Sequence, residues 1–357
     1  MSSKYIQIAA ELRANIQKGT YQDTRRLPTE MELAGIYQVN RQTVRRALSV
    51  LTKEGLIERH QGSGSYLRDP VRAENCKVIA IVTTYINDYI FPAILQDAES
   101  IFAQSGYSTM IFCTYNQVNV EREVLKKILV SHICGLLIEG TKTALPNPNL
   151  DLYRQLARRK IPVLFLHATY PEIRDAVCIS DDNFDGGYSL TKYLLQKGHK
   201  KIAGIFKTDD IQGHDRYAGF LAAFRDFGLP LPDSEVLWYS TEDKKKLLEK
   251  ADPSEMEYFI KRIMSVHTTA TVCYNDEIAA ALVALLLKLG TRVPEDMAVV
   301  SFDNSSYSNF CPVKITSLAH GAKHIGRIAA EKMIEMLHGK AVYSESLPWS
   351  LIEKQSS

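Results

Sequence analysis

Residues 28–51 read PTEMELAGIYQVNRQTVRRALSVL. Thr29 and Glu32 stand three apart behind Pro28, the spacing of a capping box that starts a helix. Leu33, Ile36 and Tyr37 give that helix its buried face. The turn QVN follows, and Asn40 is suited to cap the next helix. There Val44, Ala47, Leu48 and Leu51 fall at i, i+3, i+4 and i+7, one apolar stripe. Gln42, Arg45, Arg46 and Ser49 face away from it, and Arg41 sits in the first turn with Thr43. A helix N-terminus carries partial positive charge and ordinarily attracts Asp or Glu. Three arginines there, with no acid, suit an end aimed at phosphates and base edges. The same pattern fits a solvated basic face, so the flanking segments must decide.

Upstream, Tyr5, Ile8, Ala9, Leu12 and Ile16 mark one face of a first helix, which Gly19 ends. Downstream, Leu56, Ile57 and Arg59 open a strand, the turn GSG spans 62–64, and Ser65 to Arg68 return. This is a short hairpin with a glycine tip. Its tip residues His60, Gln61, Gly62 and Gly64 can approach a narrow minor groove because glycine has no side chain to clash. Two such short strands need helices to pack on. Three helices and a wing make a winged helix-turn-helix. Charge agrees: residues 1–70 hold 11 Lys/Arg and 7 Asp/Glu, a net of +4, whereas the other 287 hold 32 and 34, a net of −2.

A chain of 357 residues exceeds what one core serves, so further domains are expected. Its 45% hydrophobic and 24% charged residues are ordinary for a globular protein. No run of 18 uncharged apolar residues is present, and the N-terminal stretch lacks the apolar core of a secretory signal, so a cytoplasmic protein without membrane contact is expected. The six cysteines (76, 113, 134, 178, 273, 311) form no C-x-x-C pair and read as reduced thiols, not zinc ligands.

The polar stretch 70–76 reads as a linker between a domain at 1–69 and one at 77–357. Beyond it, apolar runs alternate with helical periods. VIAIVTT, STMIFCT, CGLLIEG and PVLFLHA read as buried strands, and KKIAGIFK, ATVCYND and MAVVSFDN resume the rhythm. Alternating β and α at this spacing gives an α/β fold with parallel sheets. Such sheets bind ligands beyond the carboxyl ends of their strands. Polar residues in those places are Tyr85, Asn87, Asp88, Tyr89, Glu139, His167, Asp181, Asp182, Asp209, Asp210, Asn275, Asp276, Asp303 and Asn304, with Arg216 on the following helix. Paired carboxylates and amides, an arginine fork and nearby aromatic rings suit a polyhydroxylated ligand. Each has a competing role as a helix cap, Asn275–Asp276 before EIAAAL above all. No phosphate-binding glycine loop and no G-x-S-x-G elbow occurs, and His199, His214, His320 and His324 lie at no metal spacing. A non-enzymatic protein without metal or cofactor is therefore expected.

The run LPTEMELAGIYQVNRQTVRRALSVLTKEGLIERHQGSGSYL resembles the DNA-binding domain of the gluconate-repressor family of bacterial transcription factors. The likeness covers residues 4 to about 69 and implies DNA contacts from Glu30, Arg41, Gln42, Thr43, Arg45, Gln61 and Gly62. Lys4, Arg46 and His60 complete the expected DNA-facing set. The blocks DDNFDGGYSLTKYLLQKGHKKIAGI, GHDRYAGFLAAFRDFGL, ATVCYNDEIAAALVALLLKLGTRVPEDMAVVSFDNS and ITSLAHGAKHIGRIAAEKMIEMLHGK resemble the effector domain of the lactose-repressor family, from about 77 to 350. That resemblance implies a two-lobed, periplasmic-binding-protein-like body with a sugar in its cleft. It points to Arg216, Asn275, Asp276 and Asp303 as ligand contacts, beside the expected Tyr85, Tyr89, Glu139, His167 and Asp182. The hinge helix and leucine-heptad tail of that family are missing, which leaves its coupling and tetramer in doubt. Joined, the halves are similar to the arabinose-repressor type of Gram-positive regulator. The combination implies a homodimeric repressor that binds a palindromic operator in double-stranded DNA and is released by a sugar, L-arabinose first. Another sugar or polyol, or a non-regulatory carbohydrate-binding protein, is the alternative.

Overall fold

The computed structural model describes residues 3–18, 20–21, 24–60, 63–67, 76–87, 89–230, 235–248, 254–320 and 324–357. The expectations for Gly19, Gln61, Gly62, Arg68, Asp88 and most of the linker fall outside them. The chain divides into two compact units, a head (Met1–Cys76) and a body (Lys77–Ser357).

The head holds α1 (Lys4–Gln17), α2 (Glu30–Ile36), α3 (Arg41–Lys53), β1 (Ile57–His60) and β2 (Gly64–Leu67). Both halves of the Thr29–Glu32 capping box are made, and Asn40 Oδ1 accepts from Thr43 N at 2.9 Å. Ile8, Ala9 and Leu12 of α1 close a core with Leu33, Val44, Ala47, Leu48, Leu51 and Ile57. Ile36 departs from the expected buried face. It ends a seven-residue helix that turns only Leu33 fully inward, and it stays exposed. β1 and β2 pair antiparallel from Ile57–Leu67 to His60–Gly64, forming the wing. The head is a winged helix-turn-helix.

The body has two lobes. Lobe 1 runs β3 (Val78–Thr83), α4 (Phe91–Gln104), β4 (Ser108–Cys113), α5 (Val118–Val130), β5 (Gly135–Glu139), α6 (Leu150–Arg158), β6 (Val163–Leu166) and β7 (Val177–Asp181). Lobe 2 runs α7 (Asn183–Gln196), β8 (Ile202–Lys207), α8 (Ile211–Asp226), β9 (Val236–Tyr239), α9 (Thr241–Leu248), α10 (Ser254–Ser265), β10 (Ala270–Cys273), α11 (Asp276–Lys288), β11 (Ala298–Phe302), α12 (Ser306–Phe310) and β12 (Thr316–His320). The chain then returns to lobe 1 with α13 (Ile325–Leu337) and β13 (Glu345–Leu347), and ends in lobe 2 with β14 (Trp349–Ile352). The sheet orders are β13-β7-β6-β5-β3-β4 and β14-β12-β11-β10-β8-β9. Each sheet carries apolar clusters on both faces, as a parallel sheet with helices on both sides requires.

Two details depart from the sequence reading. β14 joins β12 antiparallel, an edge strand on an otherwise parallel sheet. STMIFCT is not a buried run: β4 has β3 as its one neighbour, and Met110 and Ile111 are 38% and 40% exposed. An edge strand is flanked on one side only, so its residues bury less.

Three segments cross between the lobes: Asp181–Asn183, the stretch from His320 to Ile325, and Leu347–Trp349. α7, which begins at the first crossing, is pressed against α8. A Cβ on Gly187 would lie 2.0 Å from Arg216 O, and one on Gly219 would lie 2.0 Å from Phe184 O. Only glycine permits this approach, and it brings the Arg216 side chain to Asn183.

Candidate functional site

In the head, α3 presents Arg41, Gln42, Arg45 and Arg46 to solvent while its stripe is buried. Lys4 at the start of α1 and His60 at the end of β1 are also exposed, and Thr43 is half-buried with its hydroxyl 2.9 Å from Asn40 Oδ1. Glu30, the first residue of α2, stands among the arginines. Arg45 Nε donates to its two oxygens at 3.2 and 3.1 Å, and Arg59 Nη2 also donates to it. Arg41 Nη2 lies 3.9 Å away. The carboxylate thus ties α3 to the wing strand β1, and Arg59 joins a cationic set in which sequence reasoning had not placed it. In the wing, His60 packs edge-on against Tyr66 with ring centres 5.3 Å apart, and Gly64 takes φ +118°. The set is an exposed, cationic face on a helix whose apolar stripe is buried, a form that suits a groove and phosphates.

In the body, a cavity of about 720 Å³, counted with its open mouth, lies between the lobes at the carboxyl ends of the strands. Tyr85, Tyr89, Glu139, His167, Arg216, Asn275 and Asp303 of the expected set line it. Asp182 and Asp276 do not. Asp182 Oδ1 caps α7 by accepting from Asp185 N at 2.9 Å, as a residue just before a helix commonly does. Asp276 lies behind the wall, accepting from Ser317 Oγ at 2.7 Å, Ser305 N at 2.6 Å and Ser301 Oγ. Asn275 reaches the cavity, yet its Oδ1 caps α11 through Ile278 N at 3.1 Å.

The lining also holds Thr84, Asp181, Lys207, Asp210, Lys244, Tyr274, Glu277 and His320. Asp181 and Asp210 were visible as polar residues after strands. Lys207 was hidden because it closes an apolar strand run, and Lys244 and Glu277 sit within first helical turns. His320 was weighed only for metal spacing. Among the described residues, no group of three or more His, Cys, Asp or Glu is placed to hold a metal ion.

The charges alternate across the lobes. Glu139 accepts from Thr84 N at 2.8 Å and Thr84 Oγ1 at 2.5 Å. Asp181 lies 3.8 Å from His167 Nδ1 and 3.1 Å from His320 Nδ1, and His320 Nε2 lies 3.7 Å from Asp303. Tyr89 of lobe 1 donates to Asp303 of lobe 2. Lys207 pairs with Asp210 at 2.8 Å. Burial alone would push the Asp181 carboxyl up, but the two imidazoles hold it well below the usual carboxylate range. Burial pushes His167 down, and Asp181, Glu139 and Asp303 outweigh it, so the imidazole is held above its ordinary value. Burial raises Glu139, opposed by His167 and Thr84. Burial lowers Lys207 and its two aspartates overcome that, leaving a firmly charged ammonium.

Arg216 is 2% exposed and is largely used by the protein itself. Its Nε donates to Asn183 Oδ1 at 2.8 Å, its Nη1 to Tyr274 O, and its Nη2 lies 3.8 Å from Asp303. Phe302, Tyr274 and Trp349 surround the guanidinium, with ring centres 4.1, 4.7 and 5.6 Å away. Among the described residues, His167 Nε2, His320 Nε2 and Trp349 Nε1 are buried without a hydrogen-bond partner. Carboxylates, imidazoles and aromatic faces converging in one cleft offer matched donors and acceptors for a neutral polyhydroxylated molecule.

Residues 4–67 match the family model of bacterial regulatory proteins, gntR family, and residues 191–357 match that of the periplasmic binding protein-like domain. The chain is 39% identical over 342 residues to the arabinose metabolism transcriptional repressor of Geobacillus stearothermophilus, covering 95% of this chain and 92% of the relative. It is 36% identical over 343 residues to the protein of the same name from Halalkalibacterium halodurans, covering 94% and 90%. The crystal structure of the transcription regulator CcpA of Lactococcus lactis superposes with a TM-score of 0.68 at 20% identity, covering 79% of this chain and 100% of that one.

Proposed function

Because the chain belongs to the family of the arabinose metabolism transcriptional repressors, regulators with a gntR-type head and a periplasmic-binding-protein-like body, we propose that it is a dimeric repressor released from its operator by L-arabinose. In this reading residues 1–69 bind DNA, 70–76 link, and 77–357 bind sugar and dimerise. Two heads occupy a pseudo-palindrome, each α3 in a major groove and each wing in the adjacent minor groove. Lys4, Glu30, Arg41, Gln42, Thr43, Arg45, Arg46, His60, Gln61 and Gly62 form the contact set. Arg59, held by the same carboxylate as Arg45, is added to it. Tyr85, Tyr89, Glu139, His167 and Asp303 receive the sugar, with Arg216 and Asn275 shaping its wall.

The interlobe cavity, with its alternating carboxylates and cations beside aromatic rings, is the observation that carries this reading. Sugar can release DNA only by favouring the DNA-free form, so operator must weaken sugar binding by the same factor. The test is calorimetric titration of L-arabinose with and without operator. A weaker affinity on operator is expected, and identical affinities would sink the induction mechanism. Binding of a different pentose or polyol in place of L-arabinose would move the reading to that effector.

Arg45→Ala is expected to lower specific operator binding by about 1–3 kcal/mol and to relax preference at one base-pair position. Fluorescence anisotropy on single-substitution operators reads this out. A uniform loss on every sequence would make Arg45 a phosphate contact.

A further inference from the structure

Three covalent crossings join the lobes in every conformation. A lobe-to-lobe contact made away from those crossings breaks when the lobes part. One cluster of such contacts uses none of the crossing segments, and its lobe 1 side chains, Asn116, Lys142 and Thr143, lie outside the cavity lining. It is built on the loop after β5, residues 140–149. Lys142 Nζ bonds Glu242 of lobe 2 and lies 3.9 Å from Asp209. Thr143 Oγ1 donates to Asp210 Oδ1 at 3.0 Å and accepts from Ile211 N at 3.1 Å. Beside them Asn116 Nδ2 donates to Thr241 Oγ1 at 2.6 Å.

The loop is braced from its own lobe. Lys142 N donates to Asn116 Oδ1 at 2.8 Å, and Thr141 N donates to the Tyr170 hydroxyl at 2.6 Å. That hydroxyl lies 2.9 Å from buried Glu121, which also accepts from Asn147 at 3.1 Å and Asn149 at 2.8 Å. Lys142 takes φ +47°, a left-handed conformation that a lysine adopts only when its surroundings impose it. A braced loop with a half-buried ammonium between two carboxylates of the other lobe is a clasp, not a loose surface contact.

We infer that residues 140–149 are a clasp that sets the equilibrium between parted and closed lobes, and through it the sugar concentration at which the operator is released. The lobe 1 side chains of the clasp do not line the sugar cavity. Through Thr143 it also fixes Asp210, the partner of Lys207 in the cavity. The effect on sugar rests on reading the body as a sugar sensor; the effect on closure does not. Where only a fraction of the body is closed, apparent affinity falls by that fraction.

The experiment compares the full chain with the Lys142→Met/Thr143→Val double variant. Hydrogen exchange by mass spectrometry, without sugar, follows segments 141–145 and 207–212. Operator release is then titrated with L-arabinose. In the variant, exchange in both segments is expected to quicken by about tenfold. Half-release is expected to need about tenfold more sugar, operator affinity in its absence is expected to rise because the parted form is favoured, and full release at saturation is expected to be unchanged. Wild-type exchange rates in both segments would overturn the clasp, and so would faster exchange with an unchanged sugar requirement. If the double variant fails to fold, Glu242→Gln, whose side chain is mostly exposed, removes the ionic half alone and is read in the same way. A wild-type chain that ignores L-arabinose defeats the proposed effector, while the exchange comparison still decides on the clasp.

Discussion

Replacing Arg216 by alanine is expected to destabilise the body by about 3–5 kcal/mol, the range for removing one partner of a buried pair. For a unit of this size that is a drop on the order of 10 °C in its unfolding midpoint. The loss has three sources. Asp303 would lose its guanidinium partner, Asn183 Oδ1 and Tyr274 O would lose their donor, and three aromatic rings would face a void. Sugar response should disappear as well, because Asp303 and Asn275 stand on the wall that Arg216 braces. Arg216→Lys keeps the charge but not the fork and should recover part of the stability without the response. Thermal unfolding of the full chain, followed by operator release with and without L-arabinose, checks both. An alanine variant melting within a degree of wild type would show that Arg216 is not a strut.

Stability of the body should also carry a pH dependence that Asp276→Asn removes. Burial raises the Asp276 carboxyl from 3.8 to about 6, and Asp303 adds to it, while Ser301, Ser317 and Ser305 N–H oppose. The folded state therefore binds the proton more readily than the unfolded state between these values. The contribution is fully present below about pH 3.8 and is lost as pH rises through about 6. Its size is about 3 kcal/mol. Urea unfolding at pH 4 and pH 7 measures it. The wild type is expected to lose about 2 kcal/mol more than Asp276→Asn over that interval, whatever the other groups contribute to both. Equal losses in the two chains would refute the assignment.

Much of this was legible in the residues, and for physical reasons. The capping box, the Asn40 cap and the α3 stripe are local patterns, and the apolar strand runs announce a parallel sheet because such strands are buried on both faces. The site was legible only in part. A polar residue after a strand is either a wall of the cleft or a cap, and sequence does not say which. Asp182 and Asp276 turned to the backbone and to serines, while Glu139, His167 and Asp303 turned to the cavity. Lys207, Lys244 and Glu277 left no pattern because nothing local places them; the packing of β8, α9 and α11 does. Glu30 was named by the family likeness, but its gathering of Arg45 and Arg59 is made by the fold.

The threefold crossing has a consequence for synthesis. As the chain leaves the ribosome, the head and the first strands of lobe 1 come first. Lobe 1 nevertheless stays unfinished through all of lobe 2, since α13 covers Ile94 and Ala98 of α4, and β13 pairs with β7. Until residues 325–347 emerge, that apolar face has no cover and one sheet edge has no partner. A nascent chain thus holds all of the head long before it holds a finished body, and an open apolar face and strand edge during that interval favour aggregation.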